Sequence, residues 1–118
     1  MDFNFSPADE AFRLEVRQWF KENLPRPFQR NMELGFFPPN GKDRRDFHRL
    51  LYKKGWVAPH WPVEYGGTGW TPMQQHIFEE ESTRADAPYA AWSSTRLVAP
   101  VEMEFGTEEQ RKKYLPPI

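Results

Sequence analysis

Residues 55–69, G-W-V-A-P-H-W-P-V-E-Y-G-G-T-G, decide how the chain must be arranged. The stretch contains Trp56, Trp61, Pro59 and Pro62, together with four of the seven glycines. Gly55 follows a run of helical periodicity (Phe47, Leu50, Leu51, Lys54), where a residue of positive φ closes a helix. Trp56 and Val57 place apolar groups just beyond that cap. Pro59 and Pro62 fix φ and bias Ala58 and Trp61 toward extended backbone, so no helix passes through. Gly66, Gly67 and Gly69 let the chain turn tightly before Thr71-Pro72 opens the next helix. The stretch therefore reads as a rigid, aromatic-rich connector between two helices, longer than most such connections.

Working outward, the same logic predicts helices on both sides. Ser6-Pro7-Ala8-Asp9 is a helix start, with Ser as N-cap and Pro in the first turn. Ala8, Phe12, Val16, Trp19, Phe20 and Leu24 follow at spacings of three and four, and Pro25 stops the run. Phe3 and Phe5 precede the cap and are placed to staple back onto the first turn. Residues 25–41 hold four prolines, Gly35, Gly41 and three phenylalanines, which predicts a loop with hydrophobic anchors. A second helix starts near Asp43 behind a solvated Lys42-Asp43-Arg44-Arg45 turn.

Thr71 caps a third helix carrying Met73, Ile77 and Phe78, which Pro88 ends or kinks. A fourth helix follows, with Ser94, Val98, Val101 and Phe105 as its expected core stripe and a kink near Arg96 from Pro100. Gly106 caps it. Thr107-Glu108-Glu109-Gln110 is a capping box for a fifth helix whose acids lead and whose Arg111, Lys112 and Lys113 trail, matching the dipole. The expected helices are 6–23, 43–54, 72–86, 89–105 and 107–114. The fold class is all-α, a five-helix orthogonal or up-down bundle with long Pro/Gly-rich loops.

Composition narrows the function. A net charge of −1 gives no electrostatic footprint for nucleic acid. The absence of cysteine removes disulfide and thiolate chemistry. No apolar run approaches the length of a membrane span or signal-peptide core, so a cytoplasmic protein is expected. Ten Phe, five Trp and four Tyr stand against few aliphatics, a thin aliphatic core that predicts aromatics packed against something outside the chain.

Self-contained chemistry is not legible. His60 and Glu64 are four apart but lie on a Pro-broken loop, so helical metal-ligand geometry is excluded and no metal is expected. His48 and His76 are isolated on helices and expected to be partly exposed. Glu79, Glu80 and Glu81 face different directions on a helix and cannot share a substrate. One of them is expected to pair with a basic residue, with Arg84 in reach. Gly66-Gly67-Thr68-Gly69 lacks the strand–helix context and the Lys-Ser/Thr of a phosphate loop.

Two motifs identify a family resemblance. The first is Gly55-Trp56, Pro59, Trp61-Pro62 and Glu64-Tyr65-Gly66-Gly67, ahead of a Glu-rich helix. About forty residues later comes Phe105-Gly106-Thr107-Glu108-Glu109-Gln110-Arg111-Lys112-Lys113-Tyr114-Leu115-Pro116. The order and spacing resemble the N-terminal helical domain of the acyl-CoA dehydrogenase family over the whole chain, residues 1–118. The resemblance implies that a middle β-domain and a C-terminal bundle are absent from this chain, and with them the FAD site.

In that family a glutamate of the C-terminal bundle removes the α-proton of the thioester while the β-hydrogen leaves as hydride to flavin. No residue here matches that base. The resemblance places residues 89–97 against the acyl cavity. Tyr89, Trp92, Ser93 and Leu97 are the expected pocket-lining residues, bulkier and more polar than a plain fatty-acyl lining. The implied partners are an acyl-CoA substrate, an electron-transfer partner and other subunits. Acyl-CoA oxidases and flavin monooxygenases share the fold. A stand-alone helical protein-interaction module derived from it is the alternative of a different class.

Overall fold

The computed structural model describes residues 4–24, 41–88 and 93–118. Five α-helices appear among them: α1 (Pro7–Asn23), α2 (Gly41–Lys54), α3 (Pro72–Arg84), α4 (Ala99–Phe105) and α5 (Glu108–Tyr114). The described residues contain no strand, so the fold is all-α as the sequence predicts. The chain divides into two compact units, Met1–Pro88 and Tyr89–Ile118.

In the first unit, α1 begins where the sequence places it. The Ser6 Oγ accepts from the Asp9 N–H at 3.1 Å, and the Ser6 N–H donates to Asp9 Oδ2 at 3.4 Å, which satisfies two otherwise orphaned donors. Val16, Phe20 and Leu24 are buried on the predicted stripe. α2 starts two residues ahead of Asp43, with Lys42, Arg44 and Arg45 solvated as expected. Of the Pro-rich loop expected over 25–41, residues 25–40 lie outside the described residues, as does Phe3, and Gly41 already belongs to α2.

Gly55 closes α2 at φ +80°. Its N–H donates to the Tyr52 carbonyl and the Trp56 N–H donates to the Leu51 carbonyl, both at 2.9 Å. These are the two hydrogen bonds of a Schellman cap, and its usual apolar pair is supplied by the buried Leu51 and Trp56. The connector then makes a short 3₁₀ turn, Val63–Tyr65, closed in the same way: Gly66 N–H to Val63 O (3.0 Å) and Gly67 N–H to Pro62 O (3.1 Å). At Gly67 a side chain is impossible without movement, because a Cβ would sit 1.6 Å from the Trp61 carbonyl oxygen. Thr68 fastens the two limbs, donating from Oγ1 to the Pro59 carbonyl at 3.0 Å and accepting from the Trp70 N–H at 3.3 Å.

The connector delivers Trp56 and Trp70 into the space between α1, α2 and α3. Trp56 lies 5.3 Å from Trp19, 5.5 Å from Trp70 and 5.7 Å from Phe78, ring centre to ring centre. Phe20–Phe78 (5.6 Å), Trp70–Phe78 (5.2 Å) and Phe12–Trp70 (5.0 Å) extend the same network. These rings do not await an outside partner. They pack on one another and replace the missing aliphatics, each pair contributing about 0.5–1.5 kcal/mol beyond its burial.

The second unit departs from expectation in its phase. A π-helical turn, Ser94–Val98, leads into α4, and the Ala99 N–H reaches back five residues to the Ser94 carbonyl. Pro100 has no N–H to offer Arg96, and the widened turn sits where the missing bond would have been. Thr95 and Ala99 are buried, one residue out of step with the expected Ser94/Val98/Val101/Phe105 stripe. Val98 and Val101 are more than half exposed, and Phe105 is 80% exposed. That stripe is not a core.

Gly106 ends α4 in extended backbone (φ −68°) rather than at positive φ. Glycine is still required there, because a Cβ would meet the Glu102 carbonyl oxygen at 2.5 Å. The predicted capping box of α5 is present, with Thr107 N–H to Gln110 Oε1 at 2.8 Å and Gln110 N–H to Thr107 Oγ1 at 3.2 Å.

Candidate functional site

The Glu-rich turn of α3 is a structural clamp. Ile77, Phe78 and Glu81 share the face turned toward α1, at helical spacings of three and four. On α1, Arg13 and Arg17 are also four apart, and Arg13 lies on the buried side with Val16 and Phe20. Both Glu81 oxygens are held: Oε1 accepts from Arg13 Nη1 (2.8 Å) and Arg17 Nη2 (2.9 Å), and Oε2 accepts from Arg17 Nε (2.8 Å). The Glu81 side chain is 2% exposed and that of Arg13 8%. Glu80 bridges Arg13 (2.6 Å) and Arg84 (3.1 Å) at the edge. The Arg13 guanidinium also stacks 4.4 Å above the Phe5 ring, so Phe5 does fold back over the first turn.

The charge balance of this cluster is that of a brace and not of a base. Hydrogen bonds from Arg17, then those from Arg13, hold the Glu81 carboxyl below its ordinary range against the opposing effect of burial. Glu80 is lowered in the same direction, first by Arg13. A proton-abstracting carboxylate needs a pKa raised toward neutrality, which is the opposite shift. Arg84 pairs with Glu80 as the sequence suggested. The larger partners, Arg13 and Arg17, were missed, although their i,i+4 placement on the inward face of α1 was available as a signal.

Of the expected pocket-lining residues, Tyr89 and Trp92 lie outside the described residues. Ser93 and Leu97 are both exposed and sit one turn apart, at the start of the π turn and inside it; Leu97 is 51% exposed. His48 is half-buried and His76 exposed. Among the described residues no three His, Asp or Glu side chains converge as a metal site, and no helix is long and apolar enough to cross a membrane. A cavity of about 250 Å³ lies beside the clamp, lined by Arg17, Phe20, Lys21, Glu81, Arg84 and Ala85.

Residues 6–118 match the family model described as "Acyl-CoA dehydrogenase, N-terminal domain". The chain belongs to the acyl-CoA dehydrogenase family. It is 36% identical over 115 residues to acyl-CoA dehydrogenase IpdE1 of Mycolicibacterium smegmatis, covering 92% of this chain and 29% of that protein. The solved Tcur3481-Tcur3483 steroid ACAD superimposes with a TM-score of 0.81 at 34% identity, over 98% of this chain and 29% of that one. The ChsE4-ChsE5 complex from Mycobacterium tuberculosis gives 0.78 at 31% identity, over 98% of this chain and 28% of that one.

The chain thus spans about three-tenths of the length of these three relatives. FAD and oxidoreductase chemistry go with family membership. The cavity beside the clamp, at about 250 Å³, is smaller than the roughly 300–1,000 Å³ of ordinary ligand pockets.

Proposed function

We propose that this chain is the N-terminal helical domain of a flavin-dependent acyl-CoA dehydrogenase that introduces an α,β double bond into an acyl-CoA thioester. The FAD-binding middle β-domain and the C-terminal bundle with its base lie beyond these 118 residues, and the chain alone is inactive. Tyr89, Trp92, Ser93 and Leu97 line the acyl pocket. The acyl group is bulky and ring-bearing, of the steroid type. The complete enzyme works in the cytoplasm, assembles from more than one chain and passes electrons to a separate protein partner.

The family match over residues 6–118 is the observation that carries this reading. Two others support its finer parts. The resemblance to a solved steroid ACAD and to a two-chain complex motivates the substrate class and the assembly. The exposure of Ser93 and Leu97 on one side of the α4 approach leaves both available to a ligand, whereas Thr95 and Ala99 are buried.

The test uses the natural full-length protein. It should purify with the visible absorption of bound flavin and reduce an artificial electron acceptor with a steroid-ring acyl-CoA in preference to a straight-chain one. Leu97→Ala should change that preference by about 1–3 kcal/mol in relative kcat/KM. A full-length protein that binds no flavin would sink the enzyme reading and leave the interaction module.

A further inference from the structure

We infer that the cavity beside the α1–α3 clamp is a binding site for a small organic carboxylate with a short apolar stem. The inference stands apart from the flavin chemistry and rests on the first unit alone. Three cations, Arg17, Lys21 and Arg84, line the cavity against one carboxylate, Glu81. That carboxylate is already taken, because both its oxygens accept from arginines. The cations are not all used. Arg17 commits Nε and Nη2 to Glu81, and Arg84 commits Nη2 to Glu80, so each guanidinium has further donors. The Lys21 ammonium makes no hydrogen bond or ion pair among the described residues.

The remaining lining selects the ligand. Phe20 lines the cavity but is 2% exposed, so hydrocarbon contact comes from Ala85 and the methylene stems of Arg17, Lys21 and Arg84, beside their positive charges. An inorganic anion would leave that apolar surface unused, and a cation would be repelled. A carboxylate matches the guanidinium fork, which presents parallel donors to two oxygens. A volume of about 250 Å³ fits a stem of a few carbons and excludes a nucleotide-sized cofactor. The clamp holds Arg17 through Nε and Nη2, so one of the three cations is in place before any ligand arrives.

The experiment is a titration of the isotope-labelled 118-residue chain followed by two-dimensional NMR of backbone amides and arginine side chains. Hexanoate is the probe and hexanamide, equal in shape but uncharged, is the control. Hexanoate should produce saturable shifts at Arg17, Lys21, Arg84 and Ala85, weakening as salt is raised. Lys21→Gln removes a charge that makes no ion pair among the described residues; it should weaken hexanoate binding roughly two- to fivefold. A capped peptide presenting glutamate beside leucine separates a protein-borne carboxylate from a free acid. Whichever of the two saturates the shifts at lower concentration is the natural class. The proposal is overturned if neither binds, if hexanamide matches hexanoate, or if Lys21→Gln leaves the affinity unchanged.

Discussion

Replacing Glu81 by glutamine keeps the shape of the side chain and removes only its charge. In the folded chain this leaves Arg13, almost fully buried, with Glu80 as its remaining anionic partner at 2.6 Å. Breaking a buried pair from one side costs about 3–5 kcal/mol, because the surviving charge stays desolvated. Two features lower that figure here: Glu80 still neutralises Arg13, and Arg17 is 49% exposed and can turn to water. The expected loss is about 2–3 kcal/mol, or roughly 8–12 °C in Tm at about 4 °C per kcal/mol for a chain of this size.

The internal control is Glu108→Gln, which removes a still shorter bridge to Lys112 (2.6 Å) between two side chains that are 83% and 75% exposed. That change should cost about 0.5 kcal/mol or less. Both are measured by urea unfolding with a common m-value. If Glu81→Gln is no more costly than Glu108→Gln, the clamp is decorative and the reasoning from burial fails.

The same cluster sets an acid limit. Glu80 and Glu81 have folded pKa values below the ordinary 4.5, so their stabilisation is fully present above that value and is lost as pH falls through the lower folded values. Urea midpoints taken from neutral pH down into this window should fall, and Glu81→Gln should flatten the fall. Phe20→Ala should cost about 3–5 kcal/mol, since Phe20 is 2% exposed at the centre of the ring network, whereas Phe105→Ala should stay within about 0.5 kcal/mol. Equal thermal shifts for the two would refute the reassigned core. Gly67→Ala should cost about 3 kcal/mol, because the backbone of the 3₁₀ turn must move away from the Trp61 carbonyl. Retention of the wild-type Tm would show that the connector yields easily.

Much of the fold is legible in the sequence because the signals that place it are local. N-caps at Ser6, Thr71 and Thr107, the positive-φ stop at Gly55 and the prolines of the connector act within a few residues, so their spacing alone locates α1, α2, α3 and α5. The family resemblance is likewise written in the connector and in the residues around Gly106.

Tertiary structure decided what depends on partners distant along the chain. Composition predicts aromatics packed against something outside the chain; in the first unit the rings pack on one another instead, which needed α1 and the connector brought together. The sequence predicts that one acid among Glu79, Glu80 and Glu81 pairs, with Arg84 in reach; folding also brings Arg13 and Arg17, sixty-eight and sixty-four residues away, onto Glu81 in a buried clamp. At α4 the stripe failed for a different reason. A hydrophobic period assumes a constant turn, and the π turn ahead of Pro100 changed that turn, leaving Val101 and Phe105 facing outward. Local sequence fixes where helices begin and end, through bonds made within a turn, whereas which face is buried and which charge is paired depends on contacts whose free energy exists only once the chain has folded.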